Sequence, residues 1–436
     1  MIHLLLLIAI GGMMQAARSF TTDTSVAGTE LAFGFLLLAS YFTAKIFNRF
    51  GLPKLTGYIA AGVIAGPYVL EFVTKDMGVS LKVVSTTATA ILALEAGSEL
   101  EVKAIRPIMK TLRGITVFAV MGSMFTIGSA LFLMRPMFPA IFDKLDFNQS
   151  VAVCFAIGVA LSAQSPAVVM AMLAETRAEG PLSRTMLASV VVADLTVITF
   201  FSVVLALTGA VIGGTIDVTG TALAVAWELI GSMVFGVLVG MLIGQFLLSV
   251  KKGSSMFALM VCVIVAEIGA RMHLDPLIVM LAAGIWLRNW SRADSSELMH
   301  NFQAAQLPVF LVFFALAGSK LDIHTLFSSL LPVGILAVVR ASSFYMGAKI
   351  ACKISGAEEV VAKYAWFGLV PQAGLALALA LVLKNTFPQF GDGAAVILFG
   401  VVGFNECIAP IILRIMLIRS GEAGKKQGVD FAAGGH

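Results

Sequence analysis

Asp194 lies in the middle of the apolar run Ser189-Val190-Val191-Val192-Ala193-Asp194-Leu195-Thr196-Val197-Ile198. A carboxylate at the centre of a membrane helix costs roughly 2.5–3.5 kcal/mol on translocon scales, so it normally faces a cavity or a partner. One carboxylate in such a place can bind a proton or a cation, and the two exclude each other. The other reading is an aspartate held by a buried hydroxyl or an arginine simply to pack helices. Upstream, Ser162, Gln164 and Ser165 bring side-chain and backbone oxygens, which suit a hard alkali cation. Each of the three taken alone reads more readily as a helix-packing hydrogen bond. Arg340 is a second charge inside an apolar stretch, about midway along residues 325–350. It stays protonated and needs a counter-charge. Glu406, deep in the stretch 392–417, is the candidate for a core charge pair, with Asp194 as the alternative.

The elements that position these residues are spanning helices. With 59% hydrophobic and 12% charged residues over 436 positions, and a mean hydropathy of +0.97, the chain reads as an all-α membrane protein. A helix needs about 20 apolar residues to cross roughly 30 Å of hydrocarbon. Spans of that kind are expected at 29–49, 53–73, 79–99, 114–138, 149–174, 185–211, 220–249, 255–271, 275–290, 298–318, 325–350, 360–383 and 392–417. Residues 1–28 read equally as a signal peptide or as an extra N-terminal helix with a polar linker.

Lys and Arg gather in the loops holding Arg49 and Lys54, Lys103 to Arg113, Arg177 and Arg184, Lys251 and Lys252, Arg288 and Arg292, and Lys353 and Lys363. The positive-inside rule puts these loops and the C-terminus in the cytoplasm. The Gly-rich, basic residues 420–436 read as a disordered cytoplasmic tail.

Two patterns suggest an inverted repeat. Ala96-Gly97-Ser98-Glu99-Leu100-Glu101 closes one span, and Ala317-Gly318-Ser319-Lys320-Leu321-Asp322 closes another on the opposite face. The chain then divides into a first six-helix repeat at 29–211, a linker helix at 212–252 and a second six-helix repeat at 253–419, the arrangement of many secondary transporters. Each half also holds one interrupted span, at Leu161-Ser162-Ala163-Gln164-Ser165-Pro166 and at Leu369-Val370-Pro371-Gln372-Ala373-Gly374. Pro166 and Pro371 remove backbone donors. Unwound backbone at membrane depth survives only where protein or a water cavity satisfies it. Two crossing broken helices are therefore expected near Asp194, with their dipole ends and freed carbonyls aimed at a dehydrated cation. Gly236, Gly240 and Gly244 on the linker helix read as a packing ladder.

Other classes are excluded on composition and motif. The net charge of +4 is scattered and forms no nucleic-acid-binding run. No Walker A, nucleotide fingerprint, His/Cys metal cluster or nucleophile constellation is present, so neither an enzyme nor a cofactor is expected. Cys154, Cys262, Cys352 and Cys407 read as small buried hydrophobes.

Gly51-Leu52-Pro53-Lys54-Leu55-Thr56-Gly57-Tyr58 with its continuation to Pro67, the Gly-Ser-Glu-Leu-Glu stretch, Ser162 to Val169, Arg177 to Arg184, and Asn405-Glu406-Cys407-Ile408-Ala409-Pro410 together resemble the monovalent cation/proton antiporter-2 family. The resemblance runs from about Glu30 to Arg419. It implies thirteen helices in a dimerisation domain and a mobile core domain, elevator-type alternation, a homodimer, and exchange of Na⁺ or K⁺ for protons. Asp194 matches the family's ion-binding aspartate and so becomes the ligand of Na⁺ or K⁺, with Ser162, Gln164 and Ser165 around it. Pro166, Pro371 and Gln372 mark the broken-helix crossover. The residue before the aspartate is usually polar or charged in relatives, and here it is Ala193. A lone carboxylate resembles the electroneutral members.

The expected function is thus monovalent cation/proton antiport in a cell membrane, on the family's resemblance a bacterial inner membrane. The expected partners are Na⁺ or K⁺, H⁺, the lipid bilayer and a second copy of the chain, with room for a regulatory partner subunit. A channel or uniporter of the same fold, and a non-transporting sensor or effector subunit, are the alternatives.

Overall fold

The computed structural model describes residues 2–20, 27–212, 220, 223, 226–250, 254–292, 311–321 and 330–425, and these are helical apart from turns and connections. α1 spans Ile2–Phe20, α2 Ala27–Arg49, α3 Lys54–Ala65 and α4 Lys82–Glu99. α5, Val102–Leu133, passes through a wider π turn at Ile115–Met121. α6 is Phe147–Leu161, α7 Pro166–Thr176 and α8 Pro181–Ile212. α9 is Trp227–Ser249, α10 Ser254–Met272 and α11 Pro276–Asn289, and α12 is the run 311–319. α13 is Leu330–Ser355, α14 Glu359–Leu369, α15 Gly374–Thr386 and α16 Gly391–Arg419.

Among the described residues, seven helices are long and apolar enough to cross a bilayer alone, and α14 with α15, bent by 41° at their break, makes up to eight. The remaining expected spans correspond to shorter helices such as α3 and α11, of 12 and 14 residues. Of the span expected at 298–318, residues 298–310 lie outside the described residues.

Local sequence explains the boundaries that matter. Asp146 starts α6 with a reciprocal capping box, accepting from the Gln149 backbone N–H at 2.7 Å while its own N–H donates to Gln149 Oε1 at 3.1 Å. Ser165 caps α7 and Asp275 caps α11, and in both a proline follows at the first helical position, where its missing N–H costs nothing.

The α6–α7 span is the centre of the fold: 94% of its most apolar window is buried inside the protein, against 33% for α9. Large apolar side chains that remain exposed, among them Val203 and Leu207 on α8 and Val234 and Leu238 on α9, form the surface a bilayer would cover. The glycine ladder of α9 packs on α11, where a Cβ added at Gly236 would lie 2.3 Å from the Val279 carbonyl oxygen.

The two Ala-Gly-Ser motifs make matching contacts. A Cβ at Gly97 on α4 would fall 2.2 Å from the Leu281 carbonyl oxygen on α11, and one at Gly284 would fall 2.3 Å from that of Leu94. In the same register, a Cβ at Gly318 would fall 2.2 Å from the Ile59 carbonyl oxygen on α3, and one at Gly62 would fall 1.9 Å from that of Ala315. Each pair is two glycines that let two backbones touch, spaced identically on the two sides.

The N-terminal end is helical, and the C-terminal end departs from expectation. Residues Ile2–Phe20 form a helix whose Ile10 and Met14 are buried beside Phe35 and Leu36 of α2. Within the tail expected to be disordered, residues 420–425 are docked. Glu422 is buried and accepts from the Leu182 N–H at 2.7 Å, the Ser183 N–H at 2.8 Å and Ser183 Oγ at 2.7 Å. A carboxylate on the first turn of α8 satisfies amides that have no helical partner and opposes the positive end of the helix dipole. The Gly424 N–H adds a bond to the Thr176 carbonyl at 2.9 Å. Composition points to disorder here because it does not register this one side chain. Residues 426–436 lie outside the described residues.

Candidate ion-binding site

Asp194 stands on the buried face of α8 with Val190, Val197 and Phe201, at helical spacing. It is 5% exposed, and its Oδ1 has no hydrogen-bond partner in the protein. It lines a cavity of about 320 Å³ together with Gln164, Ser165, Pro166 and Ala373 from the two breaks. From α4 come Ser85, Thr86 and Thr89, and the mouth is marked by half-buried Asp275 and exposed Lys320. Gln164 is fully buried and its Oε1 also lacks a partner, while its Nε2 donates to the Ser162 carbonyl. Two acceptor oxygens with no donor among the described residues, one of them a carboxylate's and the other an amide's, thus share one cavity. Such a place favours a cation or a proton.

The structure brings together three of the four expected binding residues. Ser162 is the exception. Its hydroxyl donates to the Val159 carbonyl at 2.7 Å, closing the last turn of α6, and it does not line the cavity. Ser165 lines it, with Oγ accepting from the Val168 N–H at 3.3 Å as the cap of α7.

The expected pairing of Arg340 with Glu406 is absent. Arg340 is 1% exposed and among the described residues makes no ion pair; each of its hydrogen bonds goes to a carbonyl. Nε donates to Leu161 at 2.7 Å and Nη2 to Ala163 at 2.8 Å, both at the first break. Nη1 donates to Val370 at 2.6 Å and Nη2 to Leu369 at 3.2 Å, both at the second. These are the carbonyl ends of α6 and α14, the negative ends of their dipoles, so the guanidinium needs no carboxylate. Four of the freed carbonyls expected to coordinate a cation are therefore already used. What the cavity meets instead is the opening turns of α7, at Pro166 and Ala167, and of α15, at Gly374 and Leu375. Glu406 is 2% exposed with neither oxygen partnered, and the charge acting on it is that of Lys320.

Gln372 and Pro371 sit at the second break as expected. Gln372 Nε2 donates to the Leu161 carbonyl at 2.9 Å, and Asn405 Nδ2 donates to Gln372 Oε1 at 2.7 Å, tying α16 to both breaks. Asn405 was legible only as part of a motif. Asp275 also escaped the sequence reading, because Asp before Pro at a helix start reads fully as a cap. Glu175, near the end of α7, accepts from the Lys54 N–H at 2.9 Å and caps α3. Cys407 is exposed, unlike the other cysteines.

The model of the transmembrane region of sodium/hydrogen exchangers matches residues 35–419, most of the chain. The chain belongs to the sodium/hydrogen exchanger family. The class, monovalent cation/proton antiporters, is the one its motifs indicate, although they pointed to the antiporter-2 branch by name. An exchanger is a secondary transporter and not an enzyme. Comparison with curated proteins finds no match.

Among solved structures, this exchanger is similar in fold to the sodium proton antiporter MjNhaP1 from Methanocaldococcus jannaschii at pH 8, with a TM-score of 0.65 and 14% identity, over 89% of this chain and 97% of that one. A three-dimensional electron-microscopy map of the same antiporter gives a TM-score of 0.66 and 14% identity, over 89% and 96%.

Proposed function

We propose that this exchanger trades Na⁺ for H⁺ at Asp194, with proton and cation competing for the one carboxylate. The observation that carries this reading is the buried, unpartnered Asp194 Oδ1 in a cavity shared with the unpartnered Gln164 Oε1. An uncompensated carboxylate in low dielectric is unfavourable, so either a proton or a cation is drawn to it and neither can join the other. Gln164 and Ser165 add neutral oxygens to the cation's shell. K⁺ is the second cation of the right chemistry.

Coupling follows from motion. α5–α8 and α13–α16 form a core, knitted by Arg340 and Gln372. α2–α4 and α9–α12 form a scaffold, which also carries the face for a homodimer. The cavity lies between the two groups, so sliding the core as an elevator would carry Asp194 from one face to the other, provided that its charge is neutralised. The matched glycine contacts of Gly97 with Gly284 and Gly318 with Gly62 support two halves, at 29–211 and 253–419, related by an in-plane pseudo-two-fold axis. The loop charges support a cytoplasmic C-terminus and make the face of Asp275 and Lys320 external.

With Ala193 beside Asp194, one carboxylate exchanges one proton for one cation, so transport is electroneutral. Na⁺-driven proton movement in sealed proteoliposomes tests the reading, run at zero potential and with an imposed potential. Equal rates fit it, and strong stimulation by potential contradicts the one-for-one stoichiometry.

A further inference from the structure

Asp275 lies on the scaffold and Asp194 on the core, yet both line the same cavity. Asp275 is held there from two directions. Its carboxylate caps α11 by accepting from the Leu277 N–H at 2.8 Å, and its own N–H donates to Ser232 Oγ on α9 at 2.9 Å. Pro276 stiffens the entry further. Among the described residues no lysine or arginine pairs with this carboxylate; its partners are backbone amides. The charged groups around the mouth are Glu228 on α9, whose charge acts with that of Asp275, then His273 beside Glu228, and Lys320 at the end of α12. At the inner end stand Asp194 Oδ1 and Gln164 Oε1, buried and without partners.

We propose that Asp275 is a second carboxylate of the ion path, a fixed outer station that draws a monovalent cation from the external side and passes it to Asp194. Negative charge at the mouth of a cavity with apolar walls concentrates cations within it. The two carboxylates also repel one another, which makes the empty outward-facing cavity take up a cation or a proton more readily. Because Asp275 belongs to the scaffold, it faces Asp194 only while the core is outward. Its effect is therefore one-sided: it favours external over cytoplasmic cation binding. A residue serving only as the cap of α11 has no such sidedness.

This inference rests on antiport at Asp194, and the test separates the two. Right-side-out and everted membrane vesicles of expressing cells expose the external and the cytoplasmic face. The apparent KM for Na⁺ is measured in both, for wild type, Asp275→Ser, Asp275→Asn and Asp275→Glu, with Asp194→Asn as the protein expected to give no Na⁺-dependent signal from either side. Serine and asparagine are good N-caps, so both variants keep the cap of α11 while removing the charge. The result expected is a rise of roughly fivefold or more in the ratio of external to cytoplasmic KM for Asp275→Ser and Asp275→Asn. That rise shrinks at high ionic strength, and Asp275→Glu reverses most of it. A ratio that stays at the wild-type value, or shifts equally in Asp275→Glu, overturns the outer station while leaving the Asp194 reading intact. Wild-type vesicles with no Na⁺-dependent proton signal overturn both.

Discussion

Arg340 Nη1 donates to the Val370 carbonyl oxygen at 2.6 Å, joining the middle of α13 to the break between α14 and α15. The same guanidinium reaches Leu161 and Ala163 at the other break, so one side chain holds both interruptions together. It is a clamp on the crossover rather than half of a charge pair. The unwound segments that make room beside Asp194 persist because their carbonyls have this donor.

Arg340→Leu takes the donor from the buried carbonyls of Ala163, Leu369 and Val370, while Leu161 keeps Gln372 Nε2, and it is expected to cost at least about 3 kcal/mol. Arg340→Lys has one ammonium in place of a planar fork and should recover only part of that. Thermal unfolding of the detergent-solubilised protein reads both. If Arg340→Leu unfolds at the wild-type temperature, the clamp is not structural. If Glu406→Gln lowers stability as much as Arg340→Leu, the charge-pair reading returns.

Glu422 is the cap of the helix that carries Asp194. Glu422→Ala should loosen the start of α8 by about 1–2 kcal/mol, and Glu422→Gln by less, since the amide oxygen still accepts. Trypsin cutting after Arg419 is the direct measure, because releasing residues 420–425 exposes that bond. Equal cutting rates in wild type and Glu422→Ala would show that the docking does not hold the tail.

The paired glycines make a symmetric prediction. At Gly97 and at Gly318 an added methyl meets backbone oxygen 2.2 Å away, so Gly97→Ala and Gly318→Ala should each destabilise by about 1–3 kcal/mol and to a similar degree. Gly34, with nothing within 4 Å of its added Cβ, is the control and should tolerate alanine. A large cost at one member of the pair and none at the other would argue against equivalent halves.

What could be read in the chain, and what could not, follows from the kind of group involved. Asp194, Arg340 and the two proline-marked breaks stand out because a charge or a missing N–H in an apolar run is expensive wherever it falls. Their partners do not stand out. Every residue has a carbonyl, so nothing in the letters at 161, 163, 369 and 370 marks them as ligands of Arg340. Glu406, a carboxylate deep in an apolar stretch, reads as the better partner for the same reason. Asp275 and Glu422 were hidden differently. Each has a complete local explanation, a cap before proline and a polar tail, and only the fold places one at the cavity and the other on α8. The hydroxyl of Ser162 was misjudged because its proximity to the break does not say which way it turns.

The most direct test of the central claim is proton movement in sealed vesicles on addition of Na⁺, with the membrane potential clamped, comparing wild type with Asp194→Asn. Asparagine keeps the size of the side chain and removes the charge that a proton or a cation must neutralise. The account predicts a Na⁺-dependent signal in wild type and none in Asp194→Asn protein that unfolds at the wild-type temperature or above. A Na⁺-dependent signal of wild-type size in the mutant would contradict it and place the exchanged charge elsewhere, with Glu406 the next residue to remove.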